Sequence, residues 1–237
     1  MKIGIILNGK YKNDVEMEAR KKYYEAKASK GTEIEFLFPS DECHPFPPSP
    51  FWLTNIGVEI VKKAKEAEAL KYDAVVVYNP YDPGVDTAMS MVKIPVIGSG
   101  RTAFHVAAML GDKICVIGCE SSWIPLSYRL ARALGFDGMI TRPIRALDIP
   151  VEEMKNMKKE AKERFIKLAK MGIAEGGQVI FPQGLNCLSV HLPLTELERE
   201  IGCPIVDAVP LAIRTAETFV ELGLKQSAIA YPYHDHF

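Results

Sequence analysis

Apolar residues recur along the chain with two spacings. Short runs rich in Val, Ile and Phe stand at 2–7 (KIGIIL), 33–38 (EIEFLF), 73–79 (DAVVVYN), 94–98 (IPVIG), 113–118 (KICVIG), 138–144 (GMITRPI), 178–182 (QVIFP) and 204–208 (PIVDA). Each is too short for a helix and mostly apolar at successive positions, as strands covered on both faces are. Between them the spacing opens to the helical period, at 14–30, 56–70, 84–92, 101–111, 124–135, 151–172, 192–201 and 209–223. This alternation predicts α/β layers with mostly parallel sheets. The segment 39–52, containing PSDECHPFPPSP, is too rich in proline for either element. Connections of that length often cover a site.

The order of elements occurs twice. KIGIIL at 2 answers KICVIG at 113, and DAVVVYN at 73 answers QVIFPQG at 178. KIPVIGSGRTAFHVA (93–107) answers GCPIVDAVPLAIRTA (202–216), which aligns Pro95 with Pro204. A duplicated unit of about four strands predicts two pseudo-symmetric, Rossmann-like lobes, each with a mostly parallel four-stranded sheet. The helices at 101–111 and 209–223 each follow the last strand of their unit and are expected to pack on the other lobe. The first lobe is then 1–98 plus 209–237, and the second is 99–208. Ligands of open parallel sheets sit beyond the carboxyl ends of strands. The expected site is therefore the cleft between the lobes, lined by residues that follow strands: Asn8, Asn79 to Asp82, Cys119 to Ser122, and Asn186 to Ser189. The same overlay sets Cys187 opposite Asn79, each after the third strand of its unit.

Composition narrows the partners. Lys and Arg number 29 against 30 Asp and Glu, a net charge of −1, which argues against nucleic acid. No apolar run has the length of a membrane span. The opening MKIGIILNGKY holds only the five-residue apolar run Ile3 to Leu7 and no cleavage site, so a cytoplasmic location is expected. Five cysteines, an odd number without a CxxC pair, read as reduced thiols. No spacing of His and Cys, including His234 and His236 in the tail, matches a metal site, and none is expected. His105, in an apolar helix, and Cys115 and Cys203, in or beside strands, read as structural. His191 reads as a surface histidine at a helix start, and Cys43 and His44 fall in the proline-rich segment.

Three segments carry a resemblance. The stretch 73–118 has a strand, an Asp-Pro-Gly turn, an IPV-x-G strand and a helix ending in Leu-Gly; the others are GQVIFPQGLNCLS (177–189) and ELEREIGCPIVDAVPLAIRTAE (196–217). On these the chain resembles the aspartate/glutamate/hydantoin racemase superfamily, in its hydantoin racemase-like form. The resemblance implies an enzyme without cofactor or metal, whose two cysteines remove and return a proton at a carbon beside a carboxylate or carbonyl. Cys187 falls at the second family cysteine. The first-cysteine position, three residues before Asp82, is Asn79, whose amide exchanges no useful proton near neutral pH. Arylmalonate decarboxylases likewise keep only the second cysteine, which protonates one face of an enediolate after carbon dioxide leaves.

Three readings stay open. One is a racemase or isomerase with Cys187 as the key thiol and Asn79 as a donor to a substrate oxygen. The second is a decarboxylase with single-face protonation by Cys187. The third is a non-catalytic binder of small carboxylates. Cys119, where the family usually has a hydroxyl residue, either stands in for that residue or supplies a second acid/base thiol. By the same resemblance Asn8, Pro80, Tyr81, Glu120, Ser121, Ser122, Leu188 and Ser189 are substrate-binding candidates for a small carboxylate or hydantoin-like molecule. A symmetric homo-oligomer is expected for a protein of this size.

Overall fold

The structure, a computed structural model, describes residues 1–9, 14–40 and 49–233, without the side chains of Asp14, Val15, Glu16, Ala19, Asn186 and Cys187. Cys43, His44, His234 and His236 lie outside the described residues. Two compact units form, one of Met1–Ser99 with Val209–Phe237 and one of Gly100–Ala208.

The first unit is built on β1 (Lys2–Ile6), β2 (Glu33–Leu37), β3 (Ala74–Val77) and β4 (Val96–Gly98), all parallel in the order β2-β1-β3-β4. The central strand β3, AVVV, is buried at every position, as expected for a strand covered on both faces. Helices α1 (Asp14–Glu25), α2 (Pro50–Ala69) and α3 (Val85–Met89) connect these strands. Helix α2 starts where Ser49 accepts a hydrogen bond from the Trp52 N–H at 3.1 Å, with Pro50 in its first turn. It lays Ile56, Ile60, Ala64 and Ala67, spaced at the helical period, into the core around Val75 and Val77.

Helix α4 (Ser99–Leu110) carries the chain into the second unit. There β5 (Ile114–Gly118), β6 (Arg145–Ala146) and β7 (Val179–Gln183) run parallel in the order β6-β5-β7. Helices α5 (Ile124–Ala133), α6 (Lys158–Ala174) and α7 (Leu194–Ile201) accompany them. Phe165 and Ala169 of α6 pack against Cys115, Ile117 and Ile180. Helix α8 (Ala208–Glu221) then returns to the first unit. It is tied there by Glu217, whose carboxylate accepts from the Ser29 N–H at 2.7 Å and hydroxyl at 2.8 Å and pairs with Arg214 at 2.9 Å.

Two expected strands of the second sheet contract. In 138–144, Ile140 makes a single bridge to Ile114, and pairing beside β5 resumes only at Arg145–Ala146. Pro143 has no N–H to give a ladder there. In 204–208, Ile205 alone bridges Ile180, held by Ile180 N–H to Pro204 O at 2.8 Å and Val206 N–H to Ile180 O at 2.8 Å. Entry into α8 at Ala208 cuts that strand short. The position is nonetheless the counterpart of β4, where Val75 donates to Pro95 O at 2.9 Å. Among the described residues no helix is long and apolar enough to cross a membrane.

Candidate active site

In the first unit the candidate residues gather past the ends of β1 and β3. Strands β1 and β3 end in register at Ile6 and Val77, and Asn8 and Asn79 each follow two residues later. Asn79 is buried, and its side-chain oxygen accepts from the Tyr81 N–H at 2.9 Å. That bond also fixes which end of the amide is which, because an amide nitrogen does not accept. The Nδ2 donors take no hydrogen bond among the described residues. Pro80, Tyr81 and Asp82 are buried in the same turn, closed by Asp82 N–H to Asn79 O at 3.1 Å. Asp82 holds a left-handed backbone at φ 50°. Its carboxylate lies over Gly98, where an added Cβ would fall 2.7 Å from Cγ. The Ser99 hydroxyl donates to Val77 O at 2.7 Å, joining the start of α4 to the end of β3.

In the second unit the candidates follow β5 and β7. Cys119 is fully buried and disulfide-bonded. Glu120 is half-buried; burial, with Glu152 and Asp148 nearby, raises its carboxyl above the ordinary range against a lowering hydrogen bond from the Val151 backbone. Ser121 and Ser122 are exposed. Ser121 is engaged by Asp148, which accepts from its N–H at 2.8 Å and its hydroxyl at 2.9 Å.

After β7 the chain forms a π-helical turn, Leu185–Ser189, a form frequent at functional sites. It carries Cys187, whose side chain is among those not described. The turn is anchored by Leu188, which is fully buried with its N–H on Gly184 O at 2.6 Å. Ser189 is 3% exposed, and its Oγ has no hydrogen-bond partner among the described residues. A buried hydroxyl in that state costs about 1–3 kcal/mol until something bonds it.

The remaining described cysteines differ in kind. Cys115 and Cys203 are buried free thiols. Burial pushes Cys115 up to about 11 despite a hydrogen bond with Thr141, and burial with Glu198 nearby pushes Cys203 up as well. Both therefore stay protonated near neutral pH. His105 is exposed, its ring set edge-on to Phe136 and its Nδ1 bonded to Arg101 O at 2.7 Å. Asp148 and the buried Gln183 at the end of β7 were not singled out by sequence reasoning. For Gln183 the available signal was an amide in an otherwise apolar run. Among the described residues, no group of three His, Cys, Asp or Glu is placed to hold a metal.

A sequence profile described as Asp/Glu/hydantoin racemase matches residues 17–216. The hydantoin racemase of Rhizobium meliloti is 27% identical over 176 residues, covering 73% of this chain and 72% of that protein. The hydantoin racemase of Pseudomonas sp. (strain NS671) is 25% identical over 182 residues, covering 73% and 69%. Among solved structures, allantoin racemase from Klebsiella pneumoniae superposes with a TM-score of 0.87 at 22% identity, covering 100% of this chain and 95% of that one. Unliganded arylmalonate decarboxylase gives a TM-score of 0.60 at 14% identity, covering 92% of each chain. At such identities the structural likenesses concern the fold.

Proposed function

The chain belongs to the Asp/Glu/hydantoin racemase family, and from that premise we propose that it is a cofactor-independent racemase or isomerase acting on a small hydantoin-like or carboxylate substrate. Cys187 is the acid/base thiol, and Asn79 is the donor that holds the oxygen on which charge develops. The carbon that reacts lies next to a carbonyl or carboxylate. Its hydrogen is acidified because the electron pair left behind spreads onto that oxygen as an enolate. The Cys187 thiolate takes the proton and its thiol returns it at the same face, while inversion requires a slower delivery from water at the opposite face. Two N–H donors aimed at the enolate oxygen stabilise it most when the charge is largest. The Asn79 amide suits this task, with its oxygen engaged by Tyr81 and its donors unspent among the described residues.

The observation that carries the reading is Ser189. A buried hydroxyl without a partner, two residues past Cys187 in the same π turn, is what a polar ligand would satisfy. Glu120, near the start of the loop after β5, supports a carboxyl-handling role only through its raised proton affinity. Pro80, Tyr81 and Leu188 supply buried surface near the two polar turns rather than reactive groups.

One observation favours a second reading. At Asn79 the chain has an amide where the family keeps a thiol, and an amide transfers no proton at neutral pH. A decarboxylase needs only one protonation, which Cys187 alone supplies. The experiment is incubation in deuterium oxide with one enantiomer of a 5-monosubstituted hydantoin and, separately, with a disubstituted malonate. Exchange of the α-hydrogen without loss of carbon dioxide supports the racemase. Deuterium uptake only with release of carbon dioxide overturns it in favour of the decarboxylase. Binding with neither leaves a carboxylate-binding protein.

A further inference from the structure

Of the five cysteines, Cys115 and Cys203 are free thiols, whereas Cys119 is disulfide-bonded. Elimination leaves Cys43 and Cys187 as its partner, and the chain places these two very differently. Cys119 is the residue after β5, which pairs with β7 through Gly118 and Gln183. One step further in the same register sets Cys119 beside Gly184, the residue that leads into the π turn bearing Cys187. Leu188, next in sequence to Cys187, packs in the same buried cluster as Cys119. Adjacent strands run ~4.8 Å apart, so Cys119 lies next to the residue from which the turn bearing Cys187 departs. Cys43 belongs in sequence to the proline-rich segment after β2.

We propose that Cys119 and Cys187 form a reversible redox couple that switches the reactive thiol off and on. The couple itself follows from topology and elimination; its effect on turnover rests on the reading of Cys187 given above. The oxidant is a hydroperoxide. The Cys187 thiolate attacks one peroxide oxygen, the O–O bond breaks, and a sulfenic acid and hydroxide result; the hydroxide takes up the proton that the Cys187 thiol released and becomes water. The Cys119 sulfur then attacks the Cys187 sulfur, the S–O bond breaks, and hydroxide leaves as water with the Cys119 proton. Two thiols and one hydrogen peroxide thus give one disulfide and two waters, each sulfur giving up one electron. A small dithiol reverses the change by exchange through a mixed disulfide.

This gives Cys119 a task other than that of a second acid/base. Its sulfur resolves the oxidised state of its neighbour before oxidation proceeds to sulfinic acid, which a dithiol does not repair. The free thiols Cys115 and Cys203, buried and held protonated, are unsuited to the same step.

The test uses the full chain. The reduced protein is treated with hydrogen peroxide, remaining thiols are blocked with N-ethylmaleimide, and peptides are mapped by mass spectrometry without reduction. The expected result is a cross-linked pair containing Cys119 and Cys187, activity lowered at least about tenfold, and recovery on adding dithiothreitol. In Cys119→Ser the same treatment should drive Cys187 to sulfinic acid, with less than about a tenth of that variant's starting activity regained on reduction. A cross-link from Cys119 to Cys43, or none involving Cys119, overturns the couple. A Cys119–Cys187 cross-link with turnover unchanged overturns the switch and the catalytic reading of Cys187 together, while the pairing stands. Full turnover in Cys187→Ala would sink the catalytic reading alone, because the peptide map does not depend on activity.

Discussion

Two single atoms decide the chemistry proposed here, and they respond differently to removal. If the Cys187 sulfur is the acid/base, Cys187→Ala should lower kcat/KM by about 10²-fold or more, the scale of a lost general acid or base. Circular dichroism should be unchanged, and near-normal turnover in the variant would refute the assignment. Ser189 makes a sharper contrast. Its hydroxyl is buried without a partner among the described residues, so the resting protein bears the desolvation cost without a bond in return. Ser189→Ala should leave stability equal or raise it by about 1 kcal/mol, while weakening substrate binding roughly tenfold, the worth of one hydrogen bond. A urea midpoint and a KM measured on the same preparation separate these effects. A fall in stability together with an unchanged KM would mean that the hydroxyl serves the fold instead. The thiols Cys115 and Cys203 provide the internal control, since protonated, buried sulfur alkylates slowly near neutral pH.

At the scale of elements, the docking of α8 makes the clearest demand. Glu217 on α8 is 3% exposed and receives the Ser29 N–H and hydroxyl beside Arg214. Burial alone would raise its proton affinity, but hydrogen bonds from Ser29, Thr32 and Arg214 outweigh it and hold the carboxyl below its ordinary 4.5. The sign follows: the folded state prefers the ionised form, so the contribution is full above pH 4.5 and is lost as pH falls through the lower folded value. Glu217→Gln should lower stability by about 2–3 kcal/mol at pH 7, as for hydrogen bonds to a buried charge. Urea titrations from pH 7 to about pH 3 should then show wild type and variant converging at the acid end; parallel curves would deny the carboxylate this role.

The same scale shows what the sequence made readable. Apolar runs located β1, β2, β3, β5 and β7 to within a residue or two, because a strand buried on both faces writes itself into the chain. They failed where a local residue overrode the run. Pro143 displaced the pairing expected over 138–144, and the early start of α8 left Ile205 a single bridge. Where side chains follow strand ends was readable for the same reason. What each one touches was not, since such partners are distant in sequence. Ser121 meets Asp148, which no local spacing announced. The Asn79 to Tyr81 bond spans two residues, yet an asparagine at a strand end is equally a plain turn former. The bonded state of Cys119 left no trace in the spacing of the cysteines, whose odd number had suggested free thiols throughout.

At the scale of the whole molecule, the two units repeat one plan, and the positions after their third strands differ. One carries a thiol and the other an amide, Cys187 against Asn79. If both turns serve one substrate, the enzyme has one proton carrier, and protons pass at one face of the reacting carbon. Wild type should then exchange the α-hydrogen of one enantiomer with retention and lose optical rotation far more slowly than it takes up deuterium. Asn79→Cys returns a thiol to the second turn. It should raise racemisation relative to exchange by about tenfold or more, the low end of what a positioned acid/base contributes. Its amide donors are lost at the same time, so absolute turnover is a poor guide, and the ratio of the two rates is the quantity to follow. Polarimetry and proton NMR on the same deuterium oxide incubation give both. Wild type that racemises as fast as it exchanges would defeat the one-face account. Cys119→Ser then separates the causes, because racemisation surviving in that variant leaves water or another residue as the second acid. Racemisation lost there would give the reduced Cys119 thiol an acid/base part.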